Sequence, residues 1–90
     1  MKLVAYLDGS PVSGAAREFL KKHSIEFEEV DATTSEGALR LRKRTQQPRV
    51  PAFEMKRSHS IHVVAGFDNF ARRILSQELG LDKTIQKTLF

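Results

Sequence analysis

Lys2-Leu3-Val4-Ala5-Tyr6-Leu7-Asp8-Gly9-Ser10-Pro11-Val12-Ser13-Gly14 opens the chain and decides its reading. Lys2–Leu7 is a short apolar run of strand type, and Asp8-Gly9 breaks it. Ser10 suits a helix N-cap, and Pro11 suits the first helical position, where its missing N–H costs nothing. From there Val12, Ala15, Ala16, Phe19 and Leu20 recur at helical spacing, while Arg17, Lys21 and Lys22 face water. Lys21, Lys22 and His23 complement the negative end of the helix dipole. Two hydroxyls, Ser10 and Ser13, thus share the first helical turn after a strand. Two thiols at this spacing would make a redox site. The chain has no cysteine, and a hydroxyl cannot form a disulfide.

Downstream, Ile25-Glu26-Phe27-Glu28-Glu29-Val30 alternates loosely and reads as a second strand. A strand, a helix and a strand in this order predict a parallel pair joined by a right-handed crossover. Thr33-Thr34-Ser35-Glu36 supplies caps for a second helix carrying Ala38, Leu39 and Leu41. That helix must end by Gln47, because Pro48 disfavours helix before it. Pro51–Met55 and Ser60–Val64 read as strands of a hairpin around Lys56-Arg57-Ser58-His59. Ala65-Gly66 breaks the second of them. Phe67, Phe70, Ile74, Leu75 and Leu79 outline a third helix with Gly80 as its stop. Residues 81–90 read as an extension with a short helical turn, Ile85 and Leu89 lying one turn apart. The order β-α-β-α-β-β-α has no internal repeat, and ninety residues hold one domain.

The formal net charge is +4. Much of it lies in Arg40-Leu41-Arg42-Lys43-Arg44 and continues through Arg49, Lys56 and Arg57. A solvated helix face and a turn account for these residues. Base stacking needs aromatics beside the charge, and Phe53 is expected to point into the core. A small anion therefore fits better than nucleic acid. No apolar run reaches the roughly 18 residues of a membrane span, and the N-terminal run is too short for a signal peptide. Those readings predict a cytoplasmic protein that does not enter membranes. Without cysteine there is no disulfide and no Cys-based metal site. His59 and His62 fall on opposite faces of a strand, so no metal site is expected.

Four segments together resemble a glutaredoxin over about residues 2–80. Ser10-Pro11-Val12-Ser13 stands in the place of Cys-Pro-x-Cys, and Ile25–Asp31 looks like the family's second strand. Arg49-Val50-Pro51 stands where the family has Thr-Val-Pro with a cis proline. Ala65-Gly66-Phe67-Asp68-Asn69 stands where it has Gly-Gly-x-Asp-Asp. The resemblance implies a thioredoxin-like α/β domain over residues 1–80: a four-stranded mixed sheet in order 2-1-3-4, flanked by three helices.

It also implies a groove for glutathione or an extended peptide or protein substrate, with no covalently held cofactor. In the family, residue 10 would be the attacking thiol and residue 13 the resolving one. A cis Val50-Pro51 bond would turn the backbone of Val50 outward to pair with a peptide. Phe67 would line the groove, and Asp68 would bind a ligand ammonium. Asn69 and the following helix start would take a carboxylate. Arg49, with Gln47 or Arg44, would take the far carboxylate. The chain departs from the family in having no lysine shortly before residue 10, Asp8 near the ligand site, and Ala65 for a glycine.

Three readings of Ser10 stay open. The family's glutathione-linked thiol–disulfide oxidoreductase, serving redox homeostasis, is one, its two cysteines replaced by design. A natural redox-inactive binding module is another. The third follows a secondary resemblance to the N-terminal domain of glutathione transferases, in which Ser10 would activate a glutathione thiol.

Overall fold

Alternate residues of β1 (Lys2–Leu7) serve two different cores, and the architecture follows from that. The computed structural model describes residues 2–46 and 49–81. Leu3, Ala5 and Leu7 point to one face of the sheet, where they meet Ala16 and Leu20 of α1 (Pro11–Lys22) and Ala71 and Leu75 of α3 (Asn69–Glu78). Val4 and Tyr6 point to the other face and meet Leu41 of α2 (Ser35–Arg44). A strand buried on both faces must lie inside the sheet. β1 indeed pairs in parallel with β2 (Glu28–Asp31) and antiparallel with β3 (Ala52–Lys56), and β3 pairs antiparallel with β4 (Ile61–Ala65). The order β2-β1-β3-β4, with α1 and α3 on one face and α2 on the other, is a thioredoxin-like layout.

The sequence expectations hold for element order and need local correction. The second strand begins at Glu28, not Ile25. Ser24 adopts a left-handed φ of 55° and the Ile25 amide caps the Leu20 carbonyl at 2.9 Å. The chain is therefore still turning out of α1 there, and Ile25 and Phe27 pack on the core before pairing starts at Val4–Glu28. The apolar stripe of α1 is narrower than its spacing suggests: Val12 is 49% exposed and Ala15 faces solvent. Phe70 is 71% exposed, because Ala71 and Leu75 are the residues of α3 turned to the sheet. Phe67 precedes the helix, which begins at Asn69 behind its N-cap Asp68. The hairpin strands each lie one residue later than expected. Gly80 does follow α3, at φ 77°. The turn expected within the extension falls on residues 82–90, outside the described residues.

Gly37 is the one glycine fixed by close approach. A Cβ there would stand 2.0 Å from the Asp31 carbonyl oxygen, so only glycine lets the first turn of α2 dock on the end of β2. Thr34 completes the junction. Its Oγ1 donates to that same carbonyl and accepts from the Gly37 amide, both at 2.9 Å.

Candidate functional site

Three connections meet at one end of the two central strands: β1 to α1, the entry to β3, and β4 to α3. The Gly66 amide donates to the Pro51 carbonyl at 2.7 Å and ties the last two together. The Val50–Pro51 peptide bond is cis, and Gly66 has φ 89°. Between the connections runs an open groove of about 470 Å³ lined by Asp8, Ser10, Val12, Arg49, Val50, Pro51, Gly66, Phe67 and Asp68. Ser10, Arg49, Val50, Pro51, Phe67 and Asp68, six of the candidate residues, thus share one surface. Comparable hollows lie elsewhere. One of about 620 Å³ sits at the far end of β1 against Lys2, Ile25 and Phe27. Another of about 480 Å³ runs between β4 and α3.

The remaining candidates part from that surface. Ser13 is fully buried. Its hydroxyl donates to Asp8 Oδ1 at 2.8 Å and accepts from the Asp8 amide at 3.1 Å, which makes it a brace between the end of β1 and α1. Asn69 accepts from Arg72 within α3 and does not line the groove. Gln47 lies outside the described residues. Arg44 is drawn away from the groove, with Nε 2.9 Å from Oε1 of the buried Glu54.

Ser10 itself caps α1. Its Oγ accepts from the Ser13 amide at 3.2 Å, and its own amide donates to Asp8 Oδ1 at 2.9 Å. Hydrogen bonds from Ser10 and then Ser13 hold the Asp8 carboxyl below the usual aspartate range, since donors aimed at a carboxylate favour its charged form. Pro11 has no N–H and the Ser13 amide is occupied, so the Val12 amide is the donor of this first turn left for a ligand. An ionised carboxylate therefore stands beside Ser10 and the Val12 amide. The sequence marked Asp8 only as a strand breaker and a nearby charge. Its bracketing by two serines appears only when β1 and α1 are folded together.

Across the groove, Asp68 caps α3 by accepting from the Ala71 amide at 2.8 Å. Phe67 lies edge-on to Phe19, with ring centroids 5.5 Å apart, and the Arg72 guanidinium sits 5.5 Å from its centroid. The Arg49 guanidinium lies over Gly66, 3.7 Å from where a Cβ would stand. The groove thus offers an apolar floor, two carboxylates, the backbone of Val50 and, in Arg49, a cation with no ion-pair partner among the described residues. Among the described residues no histidine lines it. Among the described residues no three His, Cys, Asp or Glu side chains gather to hold a metal, and no helix is long and apolar enough to cross a membrane. No protein-family model matches the chain, and no curated protein matches it either.

Proposed function

We propose that this chain is a glutaredoxin-like binding module that takes glutathione or an extended peptide in the groove beside Ser10 and performs no thiol–disulfide exchange as written. The observation that carries the reading is the convergence of Ser10, Arg49, Val50, Pro51, Phe67 and Asp68 on a single groove, from three separate stretches of a thioredoxin-like fold. Backbone groups at Val50 would pair with the ligand's backbone as an added strand. Asp68 would meet its ammonium, and Arg49 a carboxylate. Exchange chemistry needs an attacking thiolate and a leaving thiolate, and the sequence supplies no cysteine for either.

Asp8 weighs against the transferase-like use of Ser10. A fixed anion beside the sulfur position disfavours the thiolate that such a serine would have to stabilise. The same charge keeps glutathione affinity low, in the high micromolar to millimolar range. At a Kd of ~1 mM the whole binding free energy is about −4 kcal/mol, so loss of one charged contact is visible. An NMR titration with reduced glutathione is expected to move the amides of Ser10, Val12, Val50, Phe67 and Asp68 together, and Asp68→Ala to abolish the response. Amides that stay still at tens of millimolar glutathione, with shifts along Arg40–Arg44 instead, would defeat the proposal.

A further inference from the structure

The two edges of the sheet are treated unequally. Edge strand β2 reads Glu28-Glu29-Val30-Asp31, a carboxylate at three of four positions. Edge strand β4 reads Ile61-His62-Val63-Val64-Ala65, with no Lys, Asp, Glu or Pro. Charges and prolines are the usual protection of an open edge, and β4 has neither.

The register fixes which backbone groups of β4 are unpaired among the described residues. Arg57 donates to Ser60 and Gly66 donates to Pro51 at the two ends of the hairpin. Hydrogen-bonded pairs alternate along an antiparallel ladder, so His62 bonds to Met55 and Val64 to Phe53. The N–H and C=O groups of Ile61, Val63 and Ala65 then point away from the sheet. Beside them runs the hollow of about 480 Å³ between β4 and α3, walled by Phe70, Ile74 and Glu78 along one stripe of the helix. Phe70 and Ile61 are 71% and 47% exposed.

We infer that this edge is the interface for a second copy of the chain, paired antiparallel about a two-fold axis through Val63. In that register Val63 faces Val63, and Ile61 faces Ala65. Each pair exchanges two hydrogen bonds, so every outward group of β4 is satisfied. The pairs are apolar and lie on the face of the sheet opposite α3. On the α3 face the two stripes cross at Ile74, and Phe70 of each copy reaches the far end of the other's hollow. The ends of the hollow are complementary in charge. Arg49 and Asp68 mark one end; Glu78, ion-paired with Arg57 at 2.8 Å, marks the other. The antiparallel arrangement brings Arg49, which has no ion-pair partner among the described residues, toward Glu78 of the second copy, and Asp68 toward its Arg57, so that the second copy and a ligand in the groove compete for these two residues. A lone peptide strand would satisfy the edge and leave these ends unmatched.

Sedimentation of the full chain from micromolar to millimolar concentration is expected to show a monomer–dimer equilibrium. Val63→Lys sets two ammonium groups directly opposite each other across the axis, where like charges repel. Each also lies beside Glu54 of its own β3, so the fold tolerates the change. Dimer affinity should fall at least about tenfold, which is about 1.4 kcal/mol. Amide exchange of the unmodified chain gives a second readout. Ile61, Val63 and Ala65 should be protected only at high concentration, whereas His62 and Val64 are protected throughout. A single monomeric mass at millimolar concentration would overturn the inference. So would a dimer in which those three amides exchange freely, or their protection only when an unrelated extended peptide is added.

Discussion

Ser10, Ser13 and Asp8 act as one hydrogen-bonded unit, and their chemistry is set by who donates to whom. Both serines place donors on Asp8 Oδ1, so the carboxylate is ionised and pinned at the mouth of the groove. Placing cysteine at residues 10 and 13 is expected to create disulfide reductase activity, because a thiol at a helix N-terminus is acidified below its ordinary ~8.5. Asp8 opposes that effect. Adding Asp8→Asn to the two-cysteine variant should therefore lower the residue-10 thiol pKa further and raise turnover, read from thiolate absorbance and a glutathione mixed-disulfide assay. An unchanged pKa would show that Asp8 is too well solvated to reach the sulfur. Two helical glycines make a second residue-scale contrast. Gly14→Ala meets nothing within 4 Å and should stabilise by up to ~1 kcal/mol through helix propensity. Gly37→Ala gains the same propensity but drives a methyl into the Asp31 carbonyl, and a net loss of about 1–3 kcal/mol is expected from overpacking. Denaturant midpoints of the two variants should move in opposite directions.

At the scale of elements, charge ties β1, β2 and α2 together through Glu28. Arg40 reaches Glu28 Oε2 at 2.6 Å, and Lys2 reaches its Oε1 at 3.1 Å. Hydrogen bonds from Arg40 and then Lys2 lower the Glu28 pKa from 4.5 to about 2. Between those two values the unfolded chain holds more proton than the folded one, so stability rises with pH. This contribution is fully present above pH ~4.5 and is lost as pH falls toward ~2. Glu28→Gln should flatten the acid limb of a melting temperature–pH profile without changing its neutral plateau greatly, since exposed pairs contribute little there. A profile identical to that of the unmodified chain would remove Glu28 from the acid response. α2 is held at its other end by different means. Its last residue, Arg44, closes over the sheet instead of pointing to the groove.

For the whole molecule, the second core is unusual in containing a charge. Glu54 is fully buried and links three elements: it accepts from the Tyr6 hydroxyl at 3.1 Å and pairs with Arg44 and with Lys56. Its Oε2 lies 3.3 Å from Lys56 Nζ in an ion pair without a hydrogen bond among the described residues, while Oε1 takes both Arg44 and the Tyr6 hydroxyl. Burial first, and then the bond to Glu54, pushes the Tyr6 hydroxyl above its usual pKa, which keeps it a donor. The two partners of the ion pair are not equivalent. Arg44 and Lys56 keep 39% and 30% of their side-chain exposure and can turn to water if Glu54 is removed. Arg44→Met instead leaves the buried carboxylate with only Lys56 and the Tyr6 hydroxyl and should cost about 1–3 kcal/mol. Glu54→Met should cost clearly less, and the double variant should recover much of the Arg44→Met loss. Chemical unfolding of the three variants decides it; equal losses from the two single changes would refute the asymmetry.

Local chemistry determined the elements and their order. The apolar run Lys2–Leu7, the Ser10-Pro11 start of α1, the caps at Thr34 and Asp68, and the stop at Gly80 are all short-range signals, and a β-α-β opening leaves few topologies. Most of the groove was legible for a related reason: its residues sit at turns, where glycine, proline and capping side chains show in the sequence. Only the tertiary structure decided which neighbours those residues would have. Phe70 kept the helical spacing of a core residue but lies on the outer side of α3, because spacing gives a stripe and not its width. Glu54 read as an ordinary strand residue, and its burial follows from β3 lying inside the sheet beneath the end of α2. Arg44 turned from the groove to that buried carboxylate because a charge removed from water takes the nearest cation that can reach it.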